Sequence, residues 1–333
     1  RGVITSLVQL NLTNGPLTPE KLAAWQKNLQ QLTNSGPAAV PGIREFLQSK
    51  EDMSFESVGG SAAVGQASIR MALIESLVKI GGPEAMLVLG ETLRSTREPR
   101  EIGYLARNLE QLAPGEYAEP AVESARAAMA EAQAGKLGRT DVAALFGIFQ
   151  EYGGAGAVQD LMDAKGRWTY YSAIALGGLT EGAGVPALVQ MAQDTNPSGR
   201  VTRSAALQML AQLATDSPVA RQALLDQAKA GPIHTAIWMK MSVLLGGEQL
   251  YLGGGPDTGL APTQEPRVSS YHISGGNQNF YTTSTLDKLT SEQINQRVQL
   301  IDQLLAGNSD AGAVESLQRA KTTLSDRLKS GTR

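Results

Sequence analysis

Apolar residues recur at helical spacing through the middle of the chain, and an alanine followed by a larger apolar residue marks every second predicted helix. These pairs are Ala85-Met86, Ala121-Val122, Ala157-Val158, Ala187-Leu188 and Ala223-Leu224, at steps of 36, 36, 30 and 36 residues. Each pair follows a short turn rich in Gly or Pro. The residues twelve positions earlier are also apolar: Leu73, Leu109, Leu145, Ala175 and Ala211. This period predicts helical pairs that bury their apolar faces against neighbouring pairs.

Both ends of the chain are also predicted to be helical. Thr18 suits the N-cap of a helix and Pro19 its first position, where the missing N–H is not needed. A second helix is predicted to follow as far as Phe46, and then a polar, Gly-rich loop over residues 50–65. Near the C-terminus, Thr290 and Gln293 can form a capping box, and apolar spacing predicts two helices after it.

The regular apolar spacing stops after Leu245. The next thirty or so residues are rich in Gly, Pro, Ser and Thr, and they contain two runs that favour β-strands on either side of Ser274-Gly275-Gly276. Two such runs across a Gly-Gly turn predict a β-hairpin. The sequence therefore predicts four parts: residues 1–65 as an N-terminal segment with a capping helical pair, 66–250 as a repeat array, 251–287 as a Gly/Pro/Ser/Thr-rich loop or hairpin, and 288–333 as a C-terminal helical hairpin.

The repeat array resembles the HEAT and armadillo-type α-solenoids. The resemblance covers residues 66–245 and, more loosely, residues 18–48. It is carried by the runs IGGPEAMLVLGETL (80–93), YGGAGAVQDLMDA (152–164), EGAGVPALVQMAQD (181–194) and TDSPVARQALLDQA (215–228). The chain lacks the regular Asp and Arg pair that often marks the turn in HEAT units, which leaves the subfamily open. The resemblance implies an all-α fold, a right-handed α-α superhelix and a concave surface that binds a protein or peptide. The composition after Leu245 adds to this one long irregular segment, or a β-hairpin, near the C-terminus.

Composition narrows the classes of function and compartment. Hydrophobic residues make up 42% of the chain, whereas charged residues make up only 18%, below the roughly 25% of typical soluble domains. A net charge of −3 gives no reason to expect a nucleic-acid partner, and no apolar stretch approaches the length of a membrane span. The low charge, the absence of Cys and the abundant Gln, Asn, Ser and Thr suit a bacterial periplasmic or secreted protein, with a cytoplasmic location as the alternative.

No residue set predicts catalysis, a cofactor or a metal. The two histidines, His234 and His272, have no partner at metal-ligand spacing. Asp257-Thr258-Gly259 matches the tripeptide of aspartic proteases, but those enzymes need two such aspartates and the chain has one copy. Ser76 and Lys79 have the Ser-x-x-Lys spacing of some acyl-transfer enzymes but lie on a repeat helix without the companion motifs.

Aromatic residues indicate where a partner would bind. A run of three aromatics beside an arginine begins at Arg167, and such side chains dominate binding hot spots. The alternative is that Trp168 and Tyr171 pack at the start of a helix. The predicted binding residues, which include three in the segment after Leu245, are Arg167, Trp168, Tyr170, Tyr171, Tyr271, Phe280 and Tyr281.

Three hypotheses of function follow. The first is a non-catalytic scaffold that binds a protein or peptide on the face formed by the second helices, lined by polar positions such as Glu91, Gln159, Gln190 and Gln193. The second is an enzyme on a helical array, a lyase or a glycan hydrolase, with its site near residues 252–283. The third is a structural subunit that joins an oligomer or larger assembly through residues 252–283.

Overall fold

Helices form most of the described chain. The computed structural model describes residues 4–5, 7, 18–49, 51–55, 64–138, 140–194, 196–248, 251–252, 271–276, 279–282 and 286–331. Most of the segment before Thr18, residues 56–63 of the predicted loop and most of the segment 251–287, with Asp257-Thr258-Gly259, lie outside them. Fifteen α-helices fall within the described residues, and the prediction of an all-α fold is confirmed.

Most of the helices follow one another with short connections. Their bounds are α1 Pro19–Asn34, α2 Val40–Gln48, α3 Ile69–Ile80, α4 Gly82–Ser95, α5 Pro99–Leu112, α6 Ala118–Gln133, α7 Ala143–Tyr152, α8 Val158–Ala164, α9 Thr169–Gly178, α10 Val185–Ala192, α11 Arg200–Leu213, α12 Pro218–Ala230, α13 Thr235–Leu245, α14 Ser291–Ala306 and α15 Ala311–Gly331. Short 3₁₀ turns precede α2, α8, α10 and α11.

Three short strands lie between α13 and α14. They are β1 Tyr251–Leu252, β2 Tyr271–Gly276 and β3 Asn279–Thr282, and they pair in the order β1-β3-β2 with both pairings antiparallel. The backbone of β3 is central, because Tyr281 pairs with Tyr251 on one side and with His272 on the other.

The chain divides into two compact units, Arg1–Ala128 and Met129–Arg333, and the boundary falls within α6. In the first unit α1, α3 and α5 pack in succession, and α2 packs on α4. The second unit contains two rows of helices. Contacts run from α7 through α9, α11 and α13 to α15 in one row, and from α10 through α12 to α14 in the other.

Side-chain caps fix where several helices begin. Thr18 Oγ1 accepts the backbone N–H of Lys21, as the sequence predicted, and Ser68 and Ser217 cap α3 and α12 in the same way. These caps provide acceptors for N–H groups that have no partner inside the helix. The predicted capping box of Thr290 and Gln293 is also present at the start of α14.

The repeated alanines lie where second helices pack most closely. Ala85, Ala121, Ala157 and Ala187 are at most 6% exposed, in agreement with the sequence pattern. The fifth position differs: Ala223 is half-buried, whereas Ala220 is completely buried. Helix α12 begins at Pro218 after the Ser217 cap, and its buried face carries Ala220 and, one turn later, Leu224. The register of the fifth repeat is therefore three residues earlier than the pattern indicated.

The segment between α13 and α14, residues 248–285, begins and ends at adjacent positions. The backbone N–H of Leu286 donates to the carbonyl oxygen of Gly247 at 3.1 Å, so the two ends of residues 248–285 are adjacent. Beyond this point α14 packs on α12 and α15 packs on α13, and each adds to one of the two rows. Arg297 of α14 donates through Nη1 to the carbonyl oxygens of Leu244 and Leu245, both at 3.0 Å, and so closes the C-terminal end of α13.

Candidate functional site

The aromatic run at the start of α9 packs largely inside the protein. Trp168 is 8% exposed and Tyr171 2% exposed, and both lie edge-on to Phe146, with ring centroids 6.2 Å and 5.5 Å away. Edge-on packing of this kind stabilises a core through the ring quadrupoles as well as through burial. Trp168 and Tyr171 therefore pack at the start of a helix, as the alternative interpretation predicted, and do not lie on an open surface.

Arg167 is the exposed member of this run. Its Nη1 donates to the carbonyl oxygen of Ala132 at 3.0 Å, and its guanidinium carbon lies 4.9 Å from the centroid of the Trp168 ring. Both contacts anchor the side chain near the C-terminal end of α6, where a cation is favourable. A cavity of about 120 Å³ is lined by Arg167, Trp168, Ala132, Leu137, Gly138, Thr140 and Val142. Its volume suits a few water molecules rather than a peptide side chain of large size.

Tyr170 belongs to a different environment from its two aromatic neighbours. The side-chain amide of Gln208 in α11 donates to the hydroxyl oxygen of Tyr170 at 3.5 Å. It also donates to the backbone carbonyl oxygen and to the hydroxyl oxygen of Ser204, both at 2.9 Å. Ser204, Gln208 and Gln212 are all at most 9% exposed and lie one turn apart on α11. This buried polar stripe was missed from the sequence, although its spacing of four residues could have identified it.

The other predicted binding residues lie in the strands. Tyr271 begins β2, and Phe280 and Tyr281 lie in β3, where Phe280 pairs with Ile273 and Tyr281 with His272. Only their backbone is described, and their side chains lie outside the described part of the structure.

The polar positions predicted to line the second helices are exposed or half-buried. Gln159, Gln190 and Gln193 are exposed, and Gln159 donates to Asp163 one turn later at 2.8 Å. Glu91 is half-buried and accepts a hydrogen bond from Arg44 of α2. The three amides lie in the second unit, whereas Glu91 lies in the first.

A cleft between α1 and α3 was not predicted from the sequence. Its volume is about 320 Å³, and it is lined by Trp25, Gln26, Leu29, Gln30, Thr33, Asn34, Val64, Gln66 and Lys79. Thr33 Oγ1 donates to Ser76 Oγ at 3.1 Å and so ties α1 to α3 at the cleft. The signal in the sequence was the spacing of Gln26, Gln30 and Asn34, which places three amides on one stripe of a helix.

The first unit also holds a buried charged network. Arg70 binds both carboxylate oxygens of Glu101, at 2.7 Å and 3.1 Å, and donates to the carbonyl oxygen of Leu47. Thr96 donates to the same carboxylate at 2.6 Å. Nearby, burial raises the pKa of Glu98 from 4.5 to about 7, and the Glu101 carboxylate acts in the same direction. Since every charged group here is paired or caps a helix, the arrangement ties elements together.

Two of the remaining sequence motifs have structural roles. His234 caps α13, because its Nδ1 accepts the backbone N–H of Ala236 at 3.2 Å. Ser76 is 2% exposed and donates to the carbonyl oxygen of Ala72. Within the described ranges, no group of three His, Asp or Glu side chains could hold a metal ion, and none of the helices there is long and apolar enough to cross a bilayer.

Comparison with known proteins gives no family. No protein-family model matches the chain, and no curated protein matches it either. One solved structure, described as the computational design of self-assembling cyclic protein homooligomers, aligns over 99% of this chain and 91% of that chain at 12% identity, with a TM-score of 0.15. A TM-score this low carries no argument about fold or function.

Proposed function

We propose that the chain is a non-catalytic scaffold that binds a protein or peptide. In this proposal the helical pairs stack as a right-handed superhelix of the HEAT or armadillo type, and the partner lies on the concave face of the second helices. The observation that carries the proposal is the division of the second unit into two rows, α7–α9–α11–α13–α15 and α10–α12–α14. A stack of this kind exposes one long row of helices, which suits an extended partner.

The burial of the two rows supports this assignment of the binding face. In the first row, Tyr171–Leu176 of α9 and Ser204–Gln212 of α11 are buried at every position. A helix that is buried all round cannot offer side chains to a partner. The second helices, by contrast, bury one face only and leave positions such as Gln190 and Gln222 exposed.

The exposed chemistry of the second helices suits a peptide main chain. Gln159 of α8, Gln190 of α10 and Gln222 of α12 carry carboxamides, which both donate and accept hydrogen bonds. The backbone amides of a peptide also donate and accept hydrogen bonds, so they can bind these carboxamides even when the peptide carries no charge. The low charged fraction of the chain is consistent with such a surface.

Selection from a displayed peptide library tests the proposal. The purified full chain is used as bait, and the affinity of enriched peptides is measured by biolayer interferometry. The variant Gln159→Lys/Gln190→Lys/Gln222→Lys is expected to weaken binding by about tenfold or more, equivalent to about 1.4 kcal/mol, because three bulky cations replace the amides.

A matched variant controls for the added charge. Met239→Lys/Gln318→Lys/Thr322→Lys places the same three charges at exposed positions of α13 and α15, outside the second-helix face. It is expected to bind as the wild type does. Equal affinities for all three proteins, or no enriched peptide at all, would contradict the proposal.

A further inference from the structure

We draw no further inference here: the strongest candidate, the cleft between α1 and α3, carries nothing because the polar side chains of its described lining, four amides, a threonine and one exposed lysine, select no class of ligand.

Discussion

Two buried arginines of this protein bind the C-terminal ends of helices. In the first unit, Arg70 donates to the backbone at Leu47 as well as to Glu101. In the second unit, Arg297 is 3% exposed and donates to the last carbonyl groups of α13, and its burial lowers its pKa. A buried charge is tolerated only when such partners replace water. These two arginines therefore stabilise the joints between consecutive elements.

Glu98 is expected to make the stability of the first unit depend on pH. Burial raises the pKa of its carboxyl from 4.5 to about 7, although the backbone N–H of Arg100 acts in the opposite direction. Between these two pH values the folded state holds a proton that the unfolded state has released. The free energy of unfolding is therefore expected to fall as pH rises from about 4.5 to about 7, by on the order of 1–3 kcal/mol.

The variant Glu98→Gln isolates this contribution. Glutamine keeps an oxygen that can accept the N–H of Arg100 but cannot ionise. Urea unfolding at about pH 5 and at about pH 8 is expected to show a smaller loss of stability in the variant than in the wild type. Identical losses in the two proteins would show that Glu98 does not cause the dependence.

At the scale of elements, the spacing of small residues sets how closely helices approach. The alanines at the start of the second helices are buried because a larger side chain there would separate neighbouring pairs. The pattern identifies four of them correctly, and the structure moves the fifth from Ala223 to Ala220. Both residues are alanines, so the sequence alone had no means of choosing between them.

Two substitutions in α12 test the corrected register. Ala220→Leu is expected to lower the free energy of unfolding by about 1–3 kcal/mol, because Ala220 is fully buried and the extra methyl groups have no space. Ala223→Leu serves as the matched control, since Ala223 is only half-buried, and it is expected to cost less than about 1 kcal/mol. Urea unfolding measures both, and a larger loss for Ala223→Leu would restore the original register.

At the scale of the whole chain, residues 248–285 are an insertion into a helical architecture. Their ends meet at the hydrogen bond between Leu286 and Gly247, and the helices on either side, α13 and α14, each join a row that is already present. The entropic cost of closing a loop rises only slowly with its length, by about 0.6 kcal/mol for each doubling, so a long insertion between adjacent ends is tolerated. The helical rows therefore do not depend on the insertion for their connection.

Replacing residues 249–285 by a short Gly-Ser linker tests this view. The helical signal in circular dichroism and a single cooperative thermal transition are expected to persist, because α14 still packs on α12 and α15 on α13. Loss of cooperative unfolding would show that the insertion is part of the core. The mass of the variant in light scattering tests the assembly hypothesis as well, since an oligomer formed through residues 252–283 would dissociate.

The sequence by itself determined the helical class, the repeat and the capping signals. Apolar spacing and caps such as Thr18 and Thr290 act within a few residues, so the local sequence is enough to specify them. Only the tertiary structure decided which alanine of α12 is buried, that Trp168 and Tyr171 face Phe146, and that an amide-lined cleft lies between α1 and α3. Each of these features depends on residues that are distant in sequence and meet only when helices pack. The sequence of a single helix does not specify which helices it will contact.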